Sequence, residues 1–308
     1  MTAGSETGRK RPLKVGLLLP DHERQFDGQT ARWADTREMA EIGEAIGADS
    51  IWVTDHLIHR APQTEPRGAW ECMSQLAALA AVTQRAELGT LVICTAFRNP
   101  ALLAKITDTI EEISGGRLIL GIGAGWNEAE FAAFGYPFDH RVSRFEEALQ
   151  ILHGLLRHGA IDFEGKYYTA RECELRPRGP RPGGPPIMIG SLAPRMLGLL
   201  AQYGDAWNIW WTNTGNSAAG VAPYAERVDA ACRDAGRNPA EIVKTATTLV
   251  AVGPERPSPA GVTPLAGAPE EIAQGLRAYA NAGVGHVQVR LHEHVEEGFG
   301  LGRRVADG

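Results

Sequence analysis

The chain has 308 residues, 44% of them hydrophobic and 22% charged, with a formal net charge of −6; such a globular composition supports a core that needs neither disulfides nor a structural metal. The only basic run, Arg9, Lys10 and Arg11, sits at the N-terminal end, which argues against nucleic acid as a partner. No apolar stretch reaches the ~20 residues of a membrane span, no signal-peptide core precedes the first strand, and the four cysteines form no CxxC pair, so the expectation is a cytoplasmic protein with reduced thiols.

Residues 1–12 are polar and read as a disordered tail, and 13–308 read as one domain. The first strand is the apolar run 14–19, closed by Pro20, and a helix with Met39, Ile42 and Ile46 on one face follows, stopped by Gly47. Strand two is 50–54, and its helix carries Met73, Leu76, Leu79 and Ala80. Strand three is 88–95, and the next helix shows an apolar stripe at Leu102, Ile106, Thr109, Ile110 and Ile113. Strand four is 118–122, followed by a mixed segment 123–142 and a helix with Phe145, Leu149, Leu152 and Leu156. Residues 160–185, rich in Gly, Pro and Arg, form an excursion. Strands at 187–189, 206–210, 245–252 and 286–291 alternate with helices at 194–203, 224–235 and 269–282, with a Pro-rich loop at 254–263.

Eight continuously apolar strands alternating with helices predict a (β/α)8 TIM barrel with insertions in the βα loops. The rival is an open doubly wound sheet, which places its glycine fingerprint after the first strand; here the glycine cluster follows the fourth. The 17 residues after Leu291 hold Gly298, Gly300 and Gly302, so an eighth helix is short or absent.

In a barrel the chemistry gathers at the C-terminal ends of the strands. Asp55-His56 follows strand two, where a histidine transfers protons near neutral pH and an aspartate orients it. His59 extends the pair to Asp-His-x-x-His, but no third ligand group with metal spacing accompanies it, so no metal is expected. His292-x-His294 reads as a solvated tail. Gly121, Gly123 and Gly125 allow close approach of a planar ligand, although Trp126 occupies the place of a dinucleotide motif's third glycine. Gly190, Ser191 and Leu192 lead into a helix whose free N–H groups suit a phosphate, with Arg195 in reach to add charge. Phe97 and Trp126 lie past strand ends, where they wall an apolar pocket.

Taken together, Ser50 through His56, Leu88 through Pro100, Gly121 through Phe131 with Phe134-Gly135, Pro186 through Gly190, Gly204 through Asn208 and Ala282 through Val287 resemble the bacterial-luciferase-like monooxygenase superfamily over almost the whole chain. The resemblance implies a barrel that binds the deazaflavin coenzyme F420, or alternatively FMN. It implies Asp55 on the ring's polar edge, His56 at the reactive face, and a bulge with a non-prolyl cis peptide at Leu91-Val92 behind the ring. Cys94 would lie near the ring, Gly123, Gly125 and Asn127 would face it, and Gly190, Ser191 and Leu192 would hold the phosphate. Trp126, Phe97 and Arg60 would meet the substrate. The Gly-Ala-Gly-Trp-Asn-Glu stretch resembles the deazaflavin branch. Its sugar-phosphate dehydrogenases carry an acidic residue where Trp126 stands and an aromatic where Arg60 stands, so an apolar small molecule is the expected substrate. The resemblance also implies a homodimer. The expected activity is F420-dependent hydride transfer; an FMN- and dioxygen-using monooxygenase and a non-catalytic flavin-binding barrel are the alternatives.

Overall fold

All eight predicted apolar runs are strands of one sheet that closes on itself. The computed structural model describes residues 11–26, 28–60, 65–252 and 262–292. The barrel strands are β1 (Lys14–Leu18), β2 (Ser50–Val53), β3 (Glu87–Thr90), β4 (Leu118–Gly123), β5 (Ile187–Gly190), β6 (Ala206–Ile209), β7 (Val243–Ala251) and β8 (His286–His292). Each is parallel to the next, and β8 pairs with β1, Lys14 opposite His286. Closure excludes the doubly wound rival, which would leave two edges. Strands β2, β4 and β6 are buried at every position, because helices cover the outside and side chains fill the lumen.

The lumen is organised around Trp52 of β2, whose buried indole packs with Leu18, Leu91, Ile119 and Met188. It fits because its neighbours are glycines. A Cβ on Gly16 of β1 would lie 2.5 Å from the indole nitrogen, and one on Gly89 of β3, the register partner of Trp52, 2.2 Å from ring carbons. The indole N–H donates to Ser50 Oγ at 2.6 Å, and Ser50 Oγ lies 2.7 Å from His286 Nε2. A hydroxyl that accepts from Trp52 still has its own proton to give, and a neutral His286 Nε2 can accept it. Burial pushes this histidine down to about 4.

Three expectations are corrected. Strand three is not continuous over 88–95: β3 ends at Thr90, the Leu91-Val92 peptide is cis, and the chain resumes as Ile93–Cys94 paired to β4. The expected stripe on the third helix, α3 (Pro100–Ser114), is only partly its buried face, with Ile110 buried and Ile106 half-buried against the core. Leu102 and Ile113 are exposed, while Leu103, Ala104, Thr107 and Ile110 are buried. Small residues there allow close packing, a signal that a count of large apolar positions misses. The tail does not extend to residue 12: Arg11 donates to Gly47 O at 3.1 Å and Asp49 Oδ1 at 2.8 Å, tying it to the loop before β2. Residues 1–10, most of the 254–263 loop, and the segment where an eighth helix was in question lie outside the described residues.

The excursion after α5 (Arg141–His158) contains an antiparallel ribbon, Ala160–Glu164 with Thr169–Glu174. A second, shorter ribbon after β2 pairs Ile58–His59 with Arg67–Gly68. The mixed segment after β4 holds a short helix, α4 (Glu128–Phe134). Helix α6 (Pro194–Tyr203) follows β5 directly. Among the described residues, no helix is long and apolar enough to cross a membrane.

Candidate active site

The C-terminal ends of the strands open onto a cavity of about 980 Å³. Asp55, His56, Leu91, Val92, Cys94, Phe97, Gly123, Gly125, Trp126, Gly190, Ser191 and Leu192 all line it. Asn127 and Arg60 do not. Asn127 is buried behind the wall, where its Nδ2 donates to Ile58 O at 3.3 Å. Arg60 is exposed at the end of the short ribbon. Arg195 is also absent from the wall: it is committed to Ser143 Oγ at 3.1 Å and to Glu146 on α5.

Asp55 lines the cavity, but most of its carboxylate's hydrogen-bonding capacity is taken by neighbouring groups. Arg98 donates Nη1 to Oδ2 at 2.8 Å and Nη2 to Oδ1 at 2.9 Å, and the Cys94 N–H adds a bond to Oδ2 at 2.9 Å. The side chain has no exposed surface. It therefore fixes the Ile93–Cys94 segment from the cavity wall. Burial pushes the Asp55 carboxyl up against the opposing pull of Arg98. Arg98 also bonds Glu71, whose carboxylate caps the helix Cys72–Val82 through the Met73 and Ser74 N–H groups. The Cys94 thiol is pushed up to about 12 by burial, so it contributes packing rather than a nucleophile.

His56 has a defined partner. Its Nδ1 lies 3.1 Å from Glu130 Oε2. The other Glu130 oxygen accepts the N–H groups of Leu57 and Ile58, the latter at 3.0 Å. Glu130 thus comes from α4 to hold both the imidazole and the backbone that carries it. Burial works against a charged His56, but the Glu130 bond together with the charges of Glu130, Asp21 and Asp55 raises the imidazole above its ordinary value. The same contact, with the two N–H bonds, holds Glu130 below the usual carboxylate range despite burial. The Trp126 ring, 63% exposed, stands 5.8 Å from His56 and 5.8 Å from His59. Phe97 is more buried than expected, packed 5.1 Å from Phe131 and 5.2 Å from Tyr136.

Another part of the wall is the turn after β5. Trp207 Nε1 donates to Ser191 O at 2.9 Å and Arg227 binds Leu192 O. With the Ser191 carbonyl turned away, the Leu192 N–H on the far side of that peptide makes no hydrogen bond to a described residue. Ser191 Oγ accepts only a long bond of 3.4 Å from Ala193 N. Behind the cavity, a Cβ on Gly123 would meet Val92 at 3.0 Å and one on Gly190 would meet it at 3.2 Å. The glycines therefore let Val92 form a flat apolar shelf between β4 and β5. Shelf, unused amide and volume together fit a planar ring with a phosphate tail.

The residue types alone did not mark Asp21, His22, Arg98, Glu130 or Arg141. One signal was present: Asp21-His22 follows β1 as Asp55-His56 follows β2. Glu130 and Arg98 had none, since their partners are remote in sequence. Arg141 donates to Gly125 O at 2.7 Å from the start of α5 and lines the cavity.

The chain is 33% identical over 174 residues to a 5,10-methylenetetrahydromethanopterin reductase of Archaeoglobus fulgidus, covering 56% of this chain and 48% of that protein. It is 31% identical over 180 residues to an F420-dependent glucose-6-phosphate dehydrogenase of Amycolatopsis mediterranei, covering 56% and 52%. It is 32% identical over 173 residues to the pyrimidine monooxygenase RutA of Cronobacter turicensis, covering 54% and 45%. The matched stretch thus spans about half the length of these relatives. Two solved structures share the fold. An F420-dependent secondary alcohol dehydrogenase with an F420-acetone adduct has a TM-score of 0.76 at 19% identity over 91% of this chain and 93% of that one. A type II Baeyer-Villiger monooxygenase of Pseudomonas putida with FMN has a TM-score of 0.73 at 17% identity over 95% and 96%. Residues 13–258 match the sequence family described as luciferase-like monooxygenase, and the chain belongs to that family.

Proposed function

We propose that this chain is an F420-dependent oxidoreductase that exchanges a hydride with a small, rather apolar molecule. The observation that carries the reading is the Glu130-bound His56 in the same cavity as the Val92 shelf and the Leu192 N–H. The coenzyme, when bound, supplies a carbon that accepts or donates hydride. Leu91, Val92, Gly123 and Gly125 would hold its ring, and Gly190, Ser191 and Leu192 its phosphate. Glu130 fixes the His56 tautomer with Nδ1 as donor, which leaves Nε2 to exchange a proton with a substrate oxygen. Asp55 positions the Cys94 backbone through its bond and its pairing with Arg98. Trp126 and Phe97 supply apolar wall. The dehydrogenase and reductase relatives support this reading.

The RutA relative and the FMN-containing neighbour favour a second reading on the same residues, with reduced FMN and dioxygen. Fluorescence titration of the purified protein with F420 and with FMN separates the two. Tight FMN binding without F420 binding overturns the first. His56→Ala then tests the proton role: cofactor binding is retained and turnover falls by about 10²–10⁴. Unchanged turnover removes His56 from the mechanism.

A further inference from the structure

The cavity contains a second carboxylate-bound imidazole. His22 follows β1 and is 8% exposed, with Nδ1 2.6 Å from Asp21 Oδ1. The other Asp21 oxygen accepts the Thr54 N–H at 2.6 Å and the Thr54 hydroxyl at 2.7 Å, so the carboxylate is fixed from behind. Asp21 is 2% exposed, and among the described residues its ion-pair partner is His22. His56 repeats the arrangement with Glu130, and the two ring centroids are 5.3 Å apart. Each Nδ1 is committed to a carboxylate, which leaves each Nε2 for the cavity that both rings line.

We propose that His22, oriented by Asp21, is a second proton-transferring residue of this site and works with His56 in the same turnover. The proposal rests on the hydride-transfer reading above. When a substrate CH–OH becomes C=O, its carbon loses a hydride and its oxygen a proton. The coenzyme that takes the hydride also takes up one proton. One proton therefore leaves the substrate oxygen while another enters the coenzyme, and the protein's own count is unchanged. Two imidazoles can carry this exchange together, the neutral ring receiving and the cationic ring giving. In the reducing direction the roles exchange. Among the described residues, the charged or titratable groups around the pair include Asp21 after β1, Asp55 after β2, Glu130 on α4, and His59 and Arg67 on the short ribbon.

The test uses cofactor-free protein labelled with 13C,15N-histidine, followed by NMR across pH in wild type and His22→Gln. His59 is held below its ordinary value first by burial, then by charge on His56 and His22. A proton-carrying His22 means that His22→Gln moves the His59 midpoint up while the Nδ1 resonance of His56 stays in its Glu130-bound position. An unmoved His59 overturns the proposal. If the variant does not fold, the wild-type His22 ring nitrogens decide: a neutral pattern at every pH where the protein is folded overturns it. Single-turnover reactions with secondary alcohols as probes, in the holoenzyme with whichever cofactor binds, form the second arm. The wild-type pH profile has two limbs; His22→Gln loses one and His56→Gln the other, each roughly tenfold slower or more. Loss of the same limb in both variants, or of neither, overturns the proposal. A shifted His59 with no alcohol oxidised overturns the hydride reading and leaves His22 a proton carrier.

Discussion

Replacing Arg98 with Met keeps most of the side chain's length and removes the charge that faces Asp55. Two guanidinium bonds of 2.8 and 2.9 Å disappear, and a carboxylate with no exposed surface keeps only the Cys94 N–H. Removing one partner of a buried ion pair costs about 3–5 kcal/mol. Unfolding entropy of about 2.1 cal/mol/K per residue over 308 residues converts that to a Tm lower by about 5–8 °C. The loss depends on pH with a definite sign. Burial already pushes the Asp55 carboxyl up, and without Arg98 it rises further. The folded chain then holds a proton that the unfolded chain releases near pH ~4, so the deficit is small below that value and grows as pH rises to the new folded value. Thermal melts of wild type, Arg98→Met and Asp55→Asn/Arg98→Met at pH 5 and pH 8 check this. The double variant, lacking the orphaned charge, recovers most of the loss. An equal drop at both pH values, or a double variant less stable than the single one, refutes the electrostatic account.

Glu130→Gln keeps an acceptor for Leu57 and Ile58 but turns an amide N–H toward His56 Nδ1, reversing the tautomer; turnover falls by about 10²–10⁴ and the NMR midpoint of His56 moves down. Because Glu130 raises His56, its contribution to stability is complete below about pH 6.5 and fades as pH rises through the folded value, so urea melts show the variant's deficit narrowing toward alkaline pH. Gly125→Ala sets a side chain at φ +76° with its Cβ 2.6 Å from Cys94 Sγ and 2.7 Å from the Phe131 ring; left-handed backbone and overpacking together predict a loss of roughly 2–4 kcal/mol by denaturant titration. His286, with a folded value of about 4, is protonated more readily in the unfolded chain. Its contribution is full above pH ~6.5 and is lost as pH falls toward 4, up to about 3 kcal/mol, and His286→Gln flattens stability against pH across that window.

The barrel was legible because most strand positions are buried, β2, β4 and β6 throughout, and so are written as apolar runs with a turn after them. What the pattern could not carry was pairing between strand ends. Asp55 was found from its place after β2, but its partner Arg98 follows β3 and was not, so the ion pair behind the carboxylate stayed out of view. Asn127 sits beside residues that line the cavity, yet its amide turns back to Ile58; a one-dimensional motif does not say which way a loop residue faces. His286 and Trp52 were read as ordinary strand positions, although the lumen around them depends on Gly16 and Gly89, one on each neighbouring strand. The flaw in the α3 stripe has the same origin: size of side chain was counted where closeness of backbone decided.

The rim after β1, β2, β3 and β4 is laced together. Thr54 grips Asp21, Asp55 grips Arg98, and Glu130 grips the chain beyond His56. These four segments therefore behave as one graft: transplanting any of them into a sister barrel without the others strands a buried acid. Among the described residues, the stretch after β6, where Thr212 and Asn213 reach the cavity, shows no such tie to them. Remodelling for a new substrate has its free ground there, on the half of the mouth that can be rewritten without unpicking the other.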